Sequence, residues 1–301
     1  MARRNYGRLL SMCWLAVAAL TIWTASGCKS APAAPQLPFE TGPLKETSLA
    51  ALKQVIAGNA AMLNTMTAEC DVAIQSDILR APGQTKIELT RGRLVIAKPK
   101  KVYLQFTKAG QVAMKLVGDQ MNYQVEMPVK GISYSGKYGE PVMPTPGRLH
   151  FLPEDLADAF DLNDVFAQKA QVLRGYPAGW DLFPGGLLDA RVAPGLWHID
   201  SLEVVEKPEP GLRIVNSILI DRATDRIVRL DKFRPDGTLR TRIWYVNHQM
   251  VPSGPGKTNI EVPSEILIWY PSPLERTVIH IRMDHMKVNI SVSEKQFTLG
   301  G

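Results

Sequence analysis

Short runs in which apolar and polar residues alternate set the strongest limit on this chain. "KIELTRGRLVI", "KVYLQF", "QVAMKLV", "MNYQVEM" and "GISYSGKY" follow one another, separated by Gly, Pro and polar residues. A period of two puts successive side chains on opposite faces of a strand. Val102, Leu104 and Phe106 point one way, and Val112, Met114 and Leu116 do the same in the next run. One face is therefore buried and the other wet, which is the signature of an antiparallel sheet. The connections are too short for parallel crossovers.

The pattern resumes after an interruption. "LWHIDSLEVVE", "LRIVNSILI", "RIVRLDKF", "TLRTRIWYVNHQMV", "IEVPSEILIWYP", "ERTVIHIRM" and "HMKVNISVSEKQF" all read as strands. In the last of them Met286, Val288, Ile290 and Val292 alternate. Turn chemistry separates several runs, as at Pro235-Asp236-Gly237. The expectation is an α+β fold whose sheet is a meander of about eleven or twelve strands.

Two stretches break the period. "ETSLAALKQVIAGNAAMLNTM" has apolar residues at Leu49, Leu52, Val55, Ile56, Leu63 and Met66, with Thr47 or Ser48 as N-cap. That spacing predicts a helix with one stripe to bury. "LPEDLADAFDLNDVFAQKAQVL" has Pro153 near a start and acids in the first turn, and predicts one or two short helices. The loop after it carries Tyr176, Trp180, Phe183, Leu187 and Leu188 among many Gly and Pro residues. Such a loop covers a core or lies over a cavity mouth. Residues 140–195 are thus read as a helical and loop insertion in one domain, 44–301.

The N-terminus reads as an export signal, residues 1–27. Arg3, Arg4 and Arg8 precede an apolar run over residues 9–23, and Ala25-Ser26-Gly27 are small. The run is short for a membrane span, which needs roughly 20 apolar residues. Cys28 directly follows the small residues, an arrangement that resembles the lipobox of bacterial lipoproteins, in which the Cys is acylated and becomes the mature N-terminus. The other readings are ordinary cleavage to a soluble protein and an uncleaved anchor. Residues 28–43 hold Pro32, Pro35, Pro38 and Pro43. At about 3.1 Å per residue, this tether reaches roughly 45 Å. Lys29, rather than Asp, follows Cys28, which points to the outer membrane, facing the periplasm.

Cysteine use agrees with export. Cys13 leaves with the signal, Cys28 carries lipid, and Cys70 remains without a disulfide partner, read as a small buried apolar residue. The formal net charge is +6, and Arg3, Arg4 and Arg8 supply part of that excess. The rest is too mild to imply nucleic acid. Lys98, Lys100 and Lys101 form the densest basic cluster, which reads as a solvated strand entrance.

No catalytic motif stands up. "GPGKT" at 254–258 lacks the first Gly of a phosphate loop and precedes a strand. "GISYSG" lacks the spacing of a nucleophile elbow. His150, His198, His248, His280 and His285 show no close metal spacing, although His280 and His285 flank Asp284. Asn289-Ile290-Ser291 is a glycosylation sequon without meaning in a bacterial envelope. The reading is a non-enzyme without a cofactor or metal.

Three segments carry a family resemblance. "GRLVIAKPKKVYLQF" holds Pro99-Lys100-Lys101 at a strand end, and Gly118-Asp119-Gln120-Met121-Asn122-Tyr123 forms a hairpin after it. "HMKVNISVSEKQFTL" closes the chain. Together they resemble the LolA/LolB-type lipoprotein-carrier superfamily, whose LolB members are themselves lipoproteins. The resemblance implies a strongly bent, incompletely closed antiparallel barrel covered by helices, with an apolar pocket for acyl chains on its concave face. Leu104, Phe106, Met114, Leu116, Val125, Ile243 and Ile290 are the candidate lining. The implied partners are the membrane, through the lipid anchor, and lipid or lipoprotein acyl chains. A rival from another class is an envelope scaffold with a solid core that binds a second protein; an anchored hydrolase ranks third.

If Cys28 is the acylated N-terminus, Cys28→Ser leaves the precursor uncleaved or releases the protein from the membrane fraction. A Ser variant that is processed normally and still sediments with membranes contradicts the lipoprotein reading.

Overall fold

In the computed structural model, the described residues are 45–76, 86–140, 151–162, 170–176, 196–205, 211–254, 258–271 and 277–299. The signal peptide, Cys28 and the tether lie outside them. So does the part of the apolar loop that holds Trp180, Phe183, Leu187 and Leu188.

Thirteen strands form one antiparallel sheet among the described residues. They are β1 (Thr65–Ser76), β2 (Lys86–Ala97), β3 (Lys101–Lys108), β4 (Gln111–Asp119), β5 (Asn122–Met127), β6 (Ile132–Lys137), β7 (Ala170–Tyr176), β8 (Leu196–Val205), β9 (Gly211–Asp221), β10 (Ile227–Phe233), β11 (Leu239–Pro252), β12 (Asn259–Tyr270) and β13 (Thr277–Val288). The spatial order is β6-β5-β4-β3-β2-β1-β13-β12-β11-β10-β9-β8-β7. Two meanders are therefore joined by the β1–β13 pair, and β6 and β7 are the edges of an unclosed sheet among the described residues.

The α+β reading holds, with two differences of detail. Ala170–Tyr176, expected to belong to a helical stretch and the loop after it, is strand β7, paired with β8 from Ala170↔Leu202 to Tyr176↔Leu196. An open sheet edge supplies partners for a backbone whose local pattern is ambiguous. "ERTVIHIRM" and "HMKV" contribute to the single strand β13, which ends at Val288. Asn289 follows in the left-handed region with φ 53°, so the alternation stops, and residues 294–297 form a 3-10 turn.

Among the described residues, two α-helices pack on the sheet. In α1 (Leu49–Met62) the Ser48 hydroxyl accepts a hydrogen bond from the Ala51 N–H, and Leu52, Ile56 and Ala60 form the buried stripe. The second, α2 (Pro153–Asp158), has Pro153 in its first turn and continues as turns to Leu162.

One peptide unit shows that the sheet bends. The Tyr134 hydroxyl of β6 donates to the Phe151 carbonyl at 2.8 Å, and the Leu152 N–H of the same peptide donates to the Tyr270 hydroxyl of β12 at 3.2 Å. Seven strand spacings separate β6 from β12 in the sheet order, about 34 Å if the sheet were flat. Two tyrosine side chains meeting at one peptide cannot span that distance. The sheet therefore curls around residues 151–162, and its concave side holds the main core, including Leu104, Phe106, Met114, Leu116, Val125, Ile243 and Phe160. The other side has a smaller cluster in which Phe297 of the C-terminal turn covers Val95 and Ala97.

Phe106 lies across the β2 backbone at Gly92, where an added Cβ would overlap its ring. Gly92→Ala must displace a fully buried side chain. The expected cost is about 1–3 kcal/mol, read from urea unfolding; a change within error would show that the ring moves aside freely.

Candidate functional site

The segment 151–162 sits inside the curl as a plug, and charge holds much of it there. Asp155 has no solvent exposure. It accepts from Arg240, from the Thr241 hydroxyl at 2.9 Å and from Lys232 at 3.2 Å. Lys232 also donates to Asp158. From the opposite wall, the β2–β3 turn brings Lys100 to 4.0 Å from Asp158 and Lys98 to 3.7 Å from Asp161. Lys98 also donates to the Ala60 carbonyl of α1 at 2.6 Å. The plug is thus clamped between β10–β11 and the β2–β3 turn, with α1 tied in through Lys98.

The titration of these groups follows from burial and pairing. Burial alone would push the Asp155 carboxyl up, but Arg240 and Lys232 outweigh it and hold it at about 2. Asp158 is raised, because burial exceeds the pull of Lys232. Lys98 is lowered by burial despite Asp161. Arg240 is raised further by the Asp155 carboxylate.

A cavity of about 90 Å³ adjoins the plug. Its wall comprises Ile56, Asn59, Ala60 and Leu63 at the end of α1, Ala159, Phe160 and Leu162 of the plug, and Tyr245, His248 and Val262 of β11 and β12, among others. At its mouth Arg226 donates to Glu261 at 2.6 Å, and Asp225 pairs with Lys45 at 2.7 Å. Tyr245 is buried, and its hydroxyl has no hydrogen-bond partner among the described residues. Burial, with a smaller contribution from Arg226, lowers His248 to about 4.

The expected lining divides. Leu104, Phe106, Met114, Leu116, Val125 and Ile243 are brought together on the concave side, all fully buried. None of them lines the cavity. Ile290 lies beyond the end of β13 and is 36% exposed. Sequence reasoning missed the ion-pair cluster and the residues around the cavity. The available signal was the spacing of Asp155, Asp158 and Asp161, which places three acids on one side of a segment that also carries Leu156 and Phe160. Lys98, read as solvated, is largely buried and paired. Among the described residues no group of His, Cys, Asp or Glu is arranged to hold a metal.

No protein-family model matches the sequence, and no curated protein matches it. Several solved structures align with the fold. A domain described as outer membrane lipoprotein-sorting, from Vibrio parahaemolyticus, aligns with TM-score 0.48 and 9% identity over 82% of this chain and 94% of its own. A DUF1329 family protein from Desulfovibrio piger gives 0.49 and 11%, over 83% and 96%. A LolA superfamily protein from Nitrosomonas europaea gives 0.43 and 12%, over 81% and 96%.

His248 makes stability depend on pH. Its folded pKa lies below the ordinary 6.5, so its contribution is complete above pH 6.5 and is lost as pH falls toward 4. The loss is at most roughly 3 kcal/mol. Asp155 acts lower, between its ordinary 3.8 and about 2, while raised Asp158 opposes it, since its burial penalty disappears on acidification. The melting temperature should fall between about pH 7 and pH 4.5, and fall less in His248→Gln. Equal falls in both proteins would refute the assignment.

Proposed function

We propose that the protein is a lipid-anchored envelope protein that holds lipid or lipoprotein acyl chains on the concave face of its sheet and passes them on without covalent chemistry. The observation that carries this reading is a largely apolar cavity beside a plug that is held by ion pairs of Asp155, Asp158 and Asp161 as well as by the buried side chains of Phe151, Leu156 and Phe160. The present cavity is smaller than the roughly 150 Å³ that admits benzene, so an acyl chain enters only as residues 151–162 withdraw. Each methylene then buried contributes about 0.8 kcal/mol.

The anchor is Cys28, in the outer membrane and facing the periplasm, with residues 28–43 as tether. Lys45 and Glu46 are fixed to Asp225 and Arg222, and Asp225 borders the cavity. This supports a cavity mouth on the side where the tether joins the domain. No catalytic step is proposed. The scaffold reading draws its support from Leu104, Phe106, Met114, Leu116 and Val125, which are packed without solvent exposure.

Ala60→Leu fills the cavity wall without introducing a polar group. It should abolish binding of a fluorescent fatty acid while leaving the melting temperature unchanged or slightly raised. Leu116→Gln, by contrast, buries an amide and should cost about 1–3 kcal/mol. A wild-type protein that binds no fatty-acid probe and co-purifies with no lipid would favour the scaffold.

A further inference from the structure

Charge balance restricts what can replace the plug. Asp155, Asp158 and Asp161 face cations from two walls: Arg240 and Lys232 on one, Lys98 and Lys100 on the other. The side chains of Lys98 and Lys232 are only 11% and 14% exposed. If the plug withdrew and a purely apolar chain entered, these cations would stay in a poorly solvated cleft without their counter-charges. Breaking a buried pair by removing one partner is far more costly than exchanging that partner for another of the same sign. An occupant that carries its own anion keeps the cations paired.

The geometry also selects the kind of anion. Arg240 and Lys232 converge on one carboxylate, Asp155, with the Thr241 hydroxyl as a third donor. A guanidinium with neighbouring donors matches the oxygens of a phosphate or carboxylate. Along β11, Tyr245 lies four residues from Thr241 and so on the same face, about 14 Å away in an extended strand. It borders the apolar cavity. Cationic donors and an apolar recess thus lie along one strand, the arrangement that a head and a chain require.

We propose that the concave face takes an anionic amphiphile, with its phosphate or carboxylate head on Arg240, Lys232 and Thr241 in place of Asp155, and its chain toward the cavity walled by Ile56, Tyr245 and Val262. This rests on the acyl-binding reading and adds the charge of the ligand to it.

The test compares three probes on the full chain by calorimetry: dihexanoyl phosphatidic acid, uncharged dihexanoylglycerol and inorganic phosphate. Phosphatidic acid should bind about tenfold or more tighter than either other probe, and less tightly at high salt. Asp155→Asn removes the competing carboxylate and should tighten phosphatidic acid binding without changing that of dihexanoylglycerol. The double variant Asp155→Leu/Arg240→Leu removes both charges of one pair, so it tests the head site without leaving a lone buried ion; with its fold verified by circular dichroism, it should lose the preference. Equal binding of phosphatidic acid and dihexanoylglycerol overturns the anionic head and leaves the acyl-binding reading intact. Inorganic phosphate binding as tightly as phosphatidic acid overturns the amphiphile. Binding of neither lipid overturns both this proposal and the acyl-binding reading.

Discussion

Asp155 has no contact with solvent, yet it remains ionised because Arg240, Lys232 and Thr241 surround it. A carboxylate in that position is tolerable only while its partners stay in place. The consequences run through the whole sheet. The pairs bind residues 151–162 to β10 and β11, while Lys98 and Lys100 bind the same segment to the β2–β3 turn. The plug therefore links strands that are distant in the sheet order, and the curl of the sheet and the seating of the plug depend on each other.

That dependence gives the concave side two kinds of territory. Around Leu104, Phe106, Met114 and Leu116 it is a close-packed apolar core, where a polar substitution is expensive. Around Phe160, Tyr245 and His248 it is looser, with an unfilled volume and a hydroxyl that has no partner among the described residues. The first territory accounts for stability. In the second, the ion pairs of Asp155, Asp158 and Asp161 sit beside buried apolar side chains of the same segment, Phe151, Leu156 and Phe160.

Several local details were legible from residue types alone. The strand alternation of β3 matches its burial, with Val102, Leu104 and Phe106 all inward. Ser48 caps α1 as its position implied. Cys70 is buried, and burial raises its thiol to about 12, consistent with an inert side chain. In the 118–123 hairpin, Asp119 accepts from the N–H groups of Met121 and Asn122, a turn that its residue types allow. The cluster around Asp155 was not legible, because its members are 74 to 86 residues apart where they meet across the plug and the β10–β11 pair. An acid at a helix start has a sufficient local explanation in the helix dipole, and the spacing of Asp155, Asp158 and Asp161 marks a shared side of the segment without showing that it is buried or which cations meet it.

Alternation and short connections determined by themselves that the chain forms an antiparallel sheet with helices against it, since side-chain direction in a strand is a local property with a fixed period. Where β13 stops, whether 170–176 is helix or strand, and which of the inward residues border open space were decided only by the tertiary structure. Those outcomes depend on which edge a backbone finds and on how far the sheet curls around residues 151–162. Curvature is set by contacts between distant strands, and no window of sequence contains them.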